Sequence, residues 1–371
     1  MESGVDILIS GGGVQGLTLA YFLAKEGKRV QIVERGACGK EATWAGAGII
    51  PPGMASTGAP VADRLRTLSS QRFPSLSAEL QALTGINNGF NRCGSWHVPE
   101  KNGTLRALKD LCQREKFQLE LPGRDRPWTG NREVEPLFLS GTMQVRNPWH
   151  VRALREACIL SGVVIRESSP VEHISVRDGR VVSIETPSGS FSAKWFVLAA
   201  GAWSGELAKW LGLQLAVRPV RGVISLLELP GGKMNSIVEQ GKRYIVPRGD
   251  GLFLVGSTEQ DAGFDKTVEL DLVEELEDWA RQVLPELAMA RRKASWGGLR
   301  PGSPDGLPFL GFCPGYQNLV LATGHHRAGL QLSPGSAQLL TELLTGKTVA
   351  IPLEPFSPER PQGHLEGGFL N

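Results

Sequence analysis

Arg300 stands in the run Gly297-Gly298-Leu299-Arg300-Pro301, at what reads as the end of a strand. Its planar, permanently charged fork of donors matches the two oxygens of a carboxylate. By position alone, the alternative is an ordinary pairing with a surface acid. Tyr244, one of three tyrosines, lies in Arg243-Tyr244-Ile245-Val246-Pro247, where strand alternation puts it on the face of Lys242 and Val246. It either donates its hydroxyl to a ligand or packs its ring in a half-buried sheet with the hydroxyl at the rim. Arg327 occupies the glycine turn Gly324-His325-His326-Arg327-Ala328-Gly329, where it can hold a substrate, touch a cofactor or brace the turn. The adjacent His325 and His326 cannot point the same way on a regular element. No acid-rich cluster accompanies them, so they read as turn structure and no metal site is expected.

A second chemistry lies near the start of the chain. Val5 to Ser10 is an apolar run of strand length, Gly11-Gly12-Gly13-Val14-Gln15-Gly16 follows it, and Leu17 to Ala24 reads as a helix. Arg29 to Val33 is a second strand ending at Glu34, eighteen residues past Gly16. This is a β-α-β unit with G-x-G-x-x-G at its turn. Gly11 permits the tight turn, Gly13 lets a pyrophosphate approach the backbone, and Gly16 lets helix and strand pack closely. The helix N-terminus offers N–H groups and a positive dipole end to phosphate, and Glu34 can accept from ribose hydroxyls. The motif alone leaves NAD and FAD both open.

Two further stretches have the same character. Small residues crowd Ala42-Thr43-Trp44-Ala45-Gly46-Ala47-Gly48, soon after Glu34 and Arg35. Trp195 to Leu198 reads as a buried strand running into Ala199-Ala200-Gly201-Ala202-Trp203, and Asn318 to Thr323 as another meeting the histidine turn and a helix of about fifteen residues. N–H groups at that last helix's start would stabilise negative charge on a ring placed against them.

With these motifs together, the chain resembles the D-amino-acid oxidase superfamily of FAD enzymes, most closely the glycine oxidases associated with thiazole biosynthesis. The resemblance spans nearly the whole length. It rests on G-G-G-V-x-G, A-T-W-A-G-A-G-I-I-P-P, V-L-A-A-G-A-W-S, Y-I-V-P-R, G-S-T-E-x-D-x-G-F-D, G-L-R-P-G-S-P-D-G-L-P, A-T-G-H-x-R-x-G and the ending P-F-S-P-E-R. It implies FAD contacts from Gly11, Gly13, Val14, Gln15, Gly16, Glu34, Arg35, Thr43, Trp44, Ala45, Gly46, Ala47, Val171, Ala200, Gly201 and Trp203. It implies the same of His326, Arg327, Ala328, Gly329, Leu330 and Gln331. It further implies that Arg300 and Tyr244 grip a substrate carboxylate, with Arg327 beside them. The implied activity is oxidation of glycine, sarcosine or a small D-amino acid by hydride transfer to flavin N5. The imine would hydrolyse to a 2-oxo acid, and oxygen would be reduced to hydrogen peroxide. The alternative is a dehydrogenase that passes electrons to a quinone or a partner protein. Thiamine biosynthesis and a homo-oligomeric assembly are implied as well. Some relatives attach FAD through a cysteine, but Cys313 does not match that position, so the expectation is non-covalent FAD. Glu259 departs from the pattern, standing where many relatives carry an apolar side chain. It would repel a substrate carboxylate, receive its amine, or point to solvent.

Composition agrees with an enzyme of this kind. A chain of 371 residues with 41% apolar and 21% charged residues can fill two cores. The formal charge of +2, with no basic run, argues against nucleic acid as a partner. Five scattered cysteines (Cys38, Cys93, Cys112, Cys158 and Cys313) read as reduced thiols. With no secretory signal and no apolar stretch near ~18 residues, no transmembrane segment is expected and the location is cytoplasmic. The expected fold is α/β: a Rossmann-like FAD-binding domain (1–74, 146–214 and 296–371) interleaved with a mixed antiparallel-sheet substrate domain (75–145 and 215–295). Arg218 to Leu227 reads as an alternating strand of the second domain, and Leu270 to Val283 as one of its helices.

Overall fold

The computed structural model describes residues 5–53, 59–100, 105–114, 119–120 and 136–360. The other residues of the segments assigned above lie outside the described residues. Val5–Ser10 (β1), Val30–Val33 (β2), Val164–Arg166 (β8), Ala193–Leu198 (β12), Phe309–Phe312 (β18) and Leu319–Thr323 (β19) form one sheet in the order β18-β19-β12-β1-β2-β8. Its pairs are parallel except β18–β19. β2 and β19 are buried along their whole lengths, as strands covered on both faces must be. Alternation divides the sheet's side chains between two cores. Ile7, Ile9, Val197 and Val320 face the helices Val14–Lys25 (α1), Val61–Thr84 (α3), Asn147–Leu160 (α5) and Gly329–Thr345 (α8). Leu8, Phe196, Leu198 and Leu321 face the opposite way. There they meet the antiparallel strands His173–Arg177 (β9), Arg180–Thr186 (β10) and Gly189–Phe191 (β11), together with Ser204–Trp210 (α6).

The second large sheet has eight strands: Ser95–His97 (β4), Leu119–Glu120 (β5), Leu137–Leu139 (β6), Arg218–Glu228 (β13), Ile237–Gln240 (β14), Arg243–Pro247 (β15), Leu252–Gly256 (β16) and Arg291–Gly302 (β17). Their order is β17-β13-β16-β15-β14-β4-β6-β5, antiparallel throughout but for β14–β4. Alternation again decides what each face meets. Leu227, Ile245, Phe253 and Val255 pack on Leu276, Trp279 and Ala280 of Leu270–Val283 (α7). Ile224, Val246 and Leu254 point the other way, toward Ala47, Ile49, Tyr244 and Trp296. Two short elements stitch the sheets together: Ala42–Ala45 (α2), and Ile49–Ile50 (β3) paired with Met143–Gln144 (β7). Arg106–Arg114 (α4) is the remaining α-helix of the described residues.

Two of the positions chosen above as segment boundaries fall inside single elements. α3 runs unbroken through residue 75, and its Leu65, Leu76 and Leu80 lie in the core of the six-stranded sheet. β17 runs unbroken through residue 296 and pairs with β13 from Arg291 to Gly302, so Arg300 rises from the large sheet. A break in composition at the glycines of β17 does not end the strand, because its hydrogen-bond ladder continues through them.

The S-P-D-G and P-F-S-P-E-R motifs meet in one structural contact. Arg360 donates to both Asp305 oxygens, at 2.6 and 2.8 Å, and to the carbonyls of Leu307 and Pro308, with both side chains buried. The paired geometry satisfies the charges that burial would otherwise penalise. Among the described residues, no helix is long and apolar enough to cross a membrane.

Candidate active site

The glycine turn after β1 is built by close approach. A Cβ added to Gly16 would lie 2.0 Å from the Gly11 carbonyl oxygen, so α1 sits directly on the turn. Gly13 precedes α1 with no side-chain cap, while the Val14 N–H donates to Thr43 Oγ1 at 3.1 Å. Glu34, just past β2, accepts from the N–H groups of Gly12 (2.7 Å) and Gly36 (2.9 Å). Its carboxylate is thereby fixed, and its remaining lone pairs can still accept from hydroxyls. Gln15 donates to the Gly329 carbonyl at 2.6 Å, which ties the start of α1 to the start of α8. Asn147 donates to the Thr43 carbonyl at 2.7 Å and leaves its own Oδ1 buried without a partner.

From this turn a cavity of roughly 530 Å³ runs to Arg300. Of the residues singled out from the sequence, Gly11, Gly13, Val14, Gln15, Glu34, Arg35, Thr43, Ala45, Gly46, Ala47, Val171, Ala200, Gly201 and Trp203 line it. So do Tyr244, Arg300, His326, Arg327, Ala328, Gly329, Leu330 and Gln331. Gly16 does not, since it is occupied in seating the helix. Trp44 does not either: its ring lies 5.1 Å from that of Trp296, whose indole N–H donates to the Ala45 carbonyl at 3.1 Å. A flavin dinucleotide fits the groups present. Glycine backbone, a helix start, a fixed carboxylate and a wall of small residues all line the cavity. The start of α8, also without a side-chain cap, lines the same cavity. Among the described residues, no cysteine lines the cavity.

Arg300 is positioned by the sheet. It shares a face of β17 with Gly298 and Trp296, and Gly298 pairs with Gly222 of β13. A Cβ at Gly222 would lie 2.1 Å from Arg300 Nη1, so the guanidinium rests flat across that glycine. It donates to Ser257 Oγ at 2.7 Å and to the Thr258 carbonyl at 3.2 Å, leaving donors free for a ligand. Burial, and next Arg327, push its pKa down, opposed by Tyr244 and Glu259. An arginine starts high enough to stay charged. Tyr244 pairs with Gly256 across the sheet and lays its ring over that glycine in the same way.

Glu259 neither points freely to solvent nor stands alone. Its carboxylate meets His326 Nε2 at 2.8 Å, Lys242 Nζ at 3.3 Å and Arg327 Nη1 at 3.5 Å. The hydrogen bond to His326, and then the charges of Arg327, His326 and Lys242, hold it well below the usual carboxylate range against the effect of burial. Arg327 also donates to the Lys242 carbonyl at 2.9 Å, so it braces the rim of the cavity as well as lining it.

The two histidines of the turn do diverge. His326 takes a positive φ of 46° and reaches Glu259, whereas His325 is buried against Ser336 Oγ at 3.1 Å. Burial lowers the His325 pKa to about 3 and that of His150, in α5, to about 4. Both values lie below the ordinary 6.5, so below that pH the unfolded chain takes up protons that the folded chain refuses. Their contribution is therefore complete above pH 6.5 and is lost as pH falls toward the folded values. Each is expected to cost about 1.4 kcal/mol per pH unit in that window. Urea unfolding at pH 7, 6 and 5 checks this. His150→Asn should show a shallower fall with pH than the unaltered chain, and an identical slope would contradict it.

Arg248 of the Y-I-V-P-R motif is a functional neighbour that sequence reasoning did not assign. It is half-buried and donates to the carbonyls of Ala47 (2.7 Å) and Val145 (3.0 Å) and to Gln144 Oε1 (3.0 Å). Burial, with Arg146 adding to it, lowers its pKa to about 10, so it remains a cation that clamps the small-residue wall to the large sheet. The motif marked the position, but the partners come from segments about a hundred and two hundred residues away, and no local signal points to them.

Comparison with known proteins gives the same picture. The family described as FAD dependent oxidoreductase (DAO) matches residues 6–343. The chain is 37% identical to the glycine oxidase of Pseudomonas putida over 357 residues, 95% of this chain and 98% of that one. It is 32% identical to the bifunctional protein ThiO/ThiG of Synechocystis over 371 residues, 97% of this chain and 54% of that protein. The crystal structure of glycine oxidase from Geobacillus kaustophilus matches with a TM-score of 0.87 at 30% identity, over 97% of this chain and 99% of the other.

Proposed function

This chain belongs to the DAO family of FAD-dependent oxidoreductases, and on that premise we propose that it oxidises glycine, or an amino acid of similar size such as sarcosine or a small D-amino acid. One observation carries the reading: Arg300 and Tyr244 line the same cavity as the dinucleotide turn. The turn at Gly11–Gly13 and the start of α1 would hold the pyrophosphate, Glu34 the ribose, and Ala45–Ala47 with the start of α8 the flat ring. FAD, held without a covalent bond, would supply a two-electron acceptor for the hydride from the substrate's Cα, with oxygen as the oxidant that takes the electrons on as hydrogen peroxide.

The chain's own residues supply position and field. The free donors of Arg300 clamp the substrate carboxylate, and the Tyr244 hydroxyl donates to the same group. Gripped there, the substrate has its amine and Cα turned inward, where orientation replaces a costly search. No side chain has to take a proton from Cα, because the neutral amine's lone pair expels the hydride and forms the imine. His325 is unsuited to act as a base, being buried, neutral and bonded to Ser336. Water then converts the imine to a 2-oxo acid and releases the amine: glyoxylate and ammonia from glycine, glyoxylate and methylamine from sarcosine. The similarity to a protein named ThiO/ThiG supports a place in thiamine biosynthesis.

The test is anaerobic mixing of the holoprotein with glycine, sarcosine, D-alanine and D-proline while the flavin band near about 450 nm is followed. Bleaching by glycine or another of the four, with peroxide on admitting air, supports the reading. Bleaching without peroxide would move the chain to the dehydrogenases, and no bleaching by any of the four would remove the substrate class.

A further inference from the structure

The rim of the carboxylate pocket carries more positive groups than one substrate carboxylate needs. Arg300 faces the cavity with donors to spare, and Arg327, Lys242 and His326 line the same region. A single protein carboxylate, Glu259, meets those last three. Its neighbour Thr258 supplies a carbonyl to Arg300, so Glu259 stands beside the substrate's first carboxylate site, and it acts electrostatically on Arg300. Without Glu259, Arg327, Lys242 and His326 would lose the carboxylate they share, next to a site already built for a carboxylate, while Glu239, which lines the cavity and pairs with Tyr244, would remain beside them.

We propose that Glu259 is a built-in anion that fills the position of a second substrate carboxylate, so that the site takes amino acids with one carboxylate and turns away dicarboxylic ones. The inference rests on the reading of Arg300 as the grip for the first carboxylate. A dicarboxylic amine such as iminodiacetate or D-aspartate, gripped at Arg300, must send its second carboxylate toward the rim. There it meets like charge at close range, and the cations that would have received it are already engaged. The contacts with Lys242, His326 and Arg327 also keep Glu259 ionised, so the exclusion persists across the neutral range. A neutral side chain of the same shape removes the repulsion and releases all three partners at once.

The experiment compares the holoenzyme with Glu259→Gln and, as a second variant should that one fold poorly, Glu259→Leu. Two readings are taken: kcat/KM for glycine, iminodiacetate and D-aspartate, and calorimetric affinity for acetate and malonate, which bind without reacting. Either variant is expected to raise the ratio of dicarboxylate to glycine kcat/KM at least tenfold. Malonate should tighten by a similar factor while acetate changes little. Glycine turnover retained with both ratios unchanged overturns the proposal and leaves the enzyme reading intact. Malonate binding the unaltered protein more tightly than acetate would also overturn it. Failure of every amino acid to reduce the flavin, with or without Glu259, defeats the enzyme reading itself and this inference with it.

Discussion

Arg300→Ala is expected to lower kcat/KM for glycine by tenfold to hundredfold or more, with FAD affinity little changed. The guanidinium supplies a charge-assisted, two-pronged contact of roughly 1.5–3 kcal/mol. Arg300→Lys should recover only part of the loss, because an ammonium keeps the charge but not the fork. A sharper test keeps Arg300 and moves it. In Gly222→Ala the new methyl would lie 2.1 Å from Nη1 and 2.5 Å from the guanidinium carbon, so the head group must leave the sheet surface and its bonds to Ser257 and Thr258. Glycine kcat/KM should then fall several-fold or more although no charged group has been removed. Steady-state peroxide formation and equilibrium flavin binding on the three variants check the set. If all three kept glycine kcat/KM within twofold, the carboxylate would be bound elsewhere.

What could be read from the sequence depended on how local the signal was. The β1–α1–β2 unit was legible because its parts are contiguous: an apolar strand, three glycines at fixed spacing, a helix and a terminal acid. α7 was legible from Leu270 to Val283 for the same reason, since one stripe of apolar side chains declares one buried face. Arg300, Tyr244 and the turn at Arg327 were reached through resemblance, and the structure brings all three to one cavity. What sequence could not supply was the set of non-local acceptors. Gly222 and Gly256 read as ordinary strand glycines until the side chains lying across them are seen. Glu259 was visibly out of pattern, but its three partners come from two other segments, so its role had to wait for the fold. Trp44 is the opposite case: a motif position beside residues that line the cavity, with its own ring against Trp296. Neighbours along a chain share a motif more readily than they share a direction.

Gly13→Ala and Gly16→Ala should separate cofactor loss from misfolding, though the two glycines lie three residues apart. At Gly13 the nearest atom to an added Cβ is Thr43 Oγ1 at 3.5 Å, an ordinary contact, and the position lines the cavity. The protein itself therefore tolerates the methyl. Only a pyrophosphate pressed against the backbone would not, so the variant should melt like the unaltered apoprotein and bind FAD at least a hundredfold more weakly. At Gly16 the added Cβ would meet the Gly11 carbonyl oxygen at 2.0 Å and an Ile9 methyl at 3.3 Å. Backbone cannot swing aside as a side chain can, so α1 must shift, and overpacking of this kind costs about 1–3 kcal/mol. The shift would also pull on the Gln15–Gly329 hydrogen bond and carry the disturbance to the start of α8. Gly16→Ala should thus lower the melting temperature of the apoprotein as well as abolish FAD binding. Thermal melting of the apoproteins and titration by flavin fluorescence read both effects. Normal FAD affinity in Gly13→Ala would mean that no phosphate touches this turn, and the cofactor would have to lie in the cavity some other way.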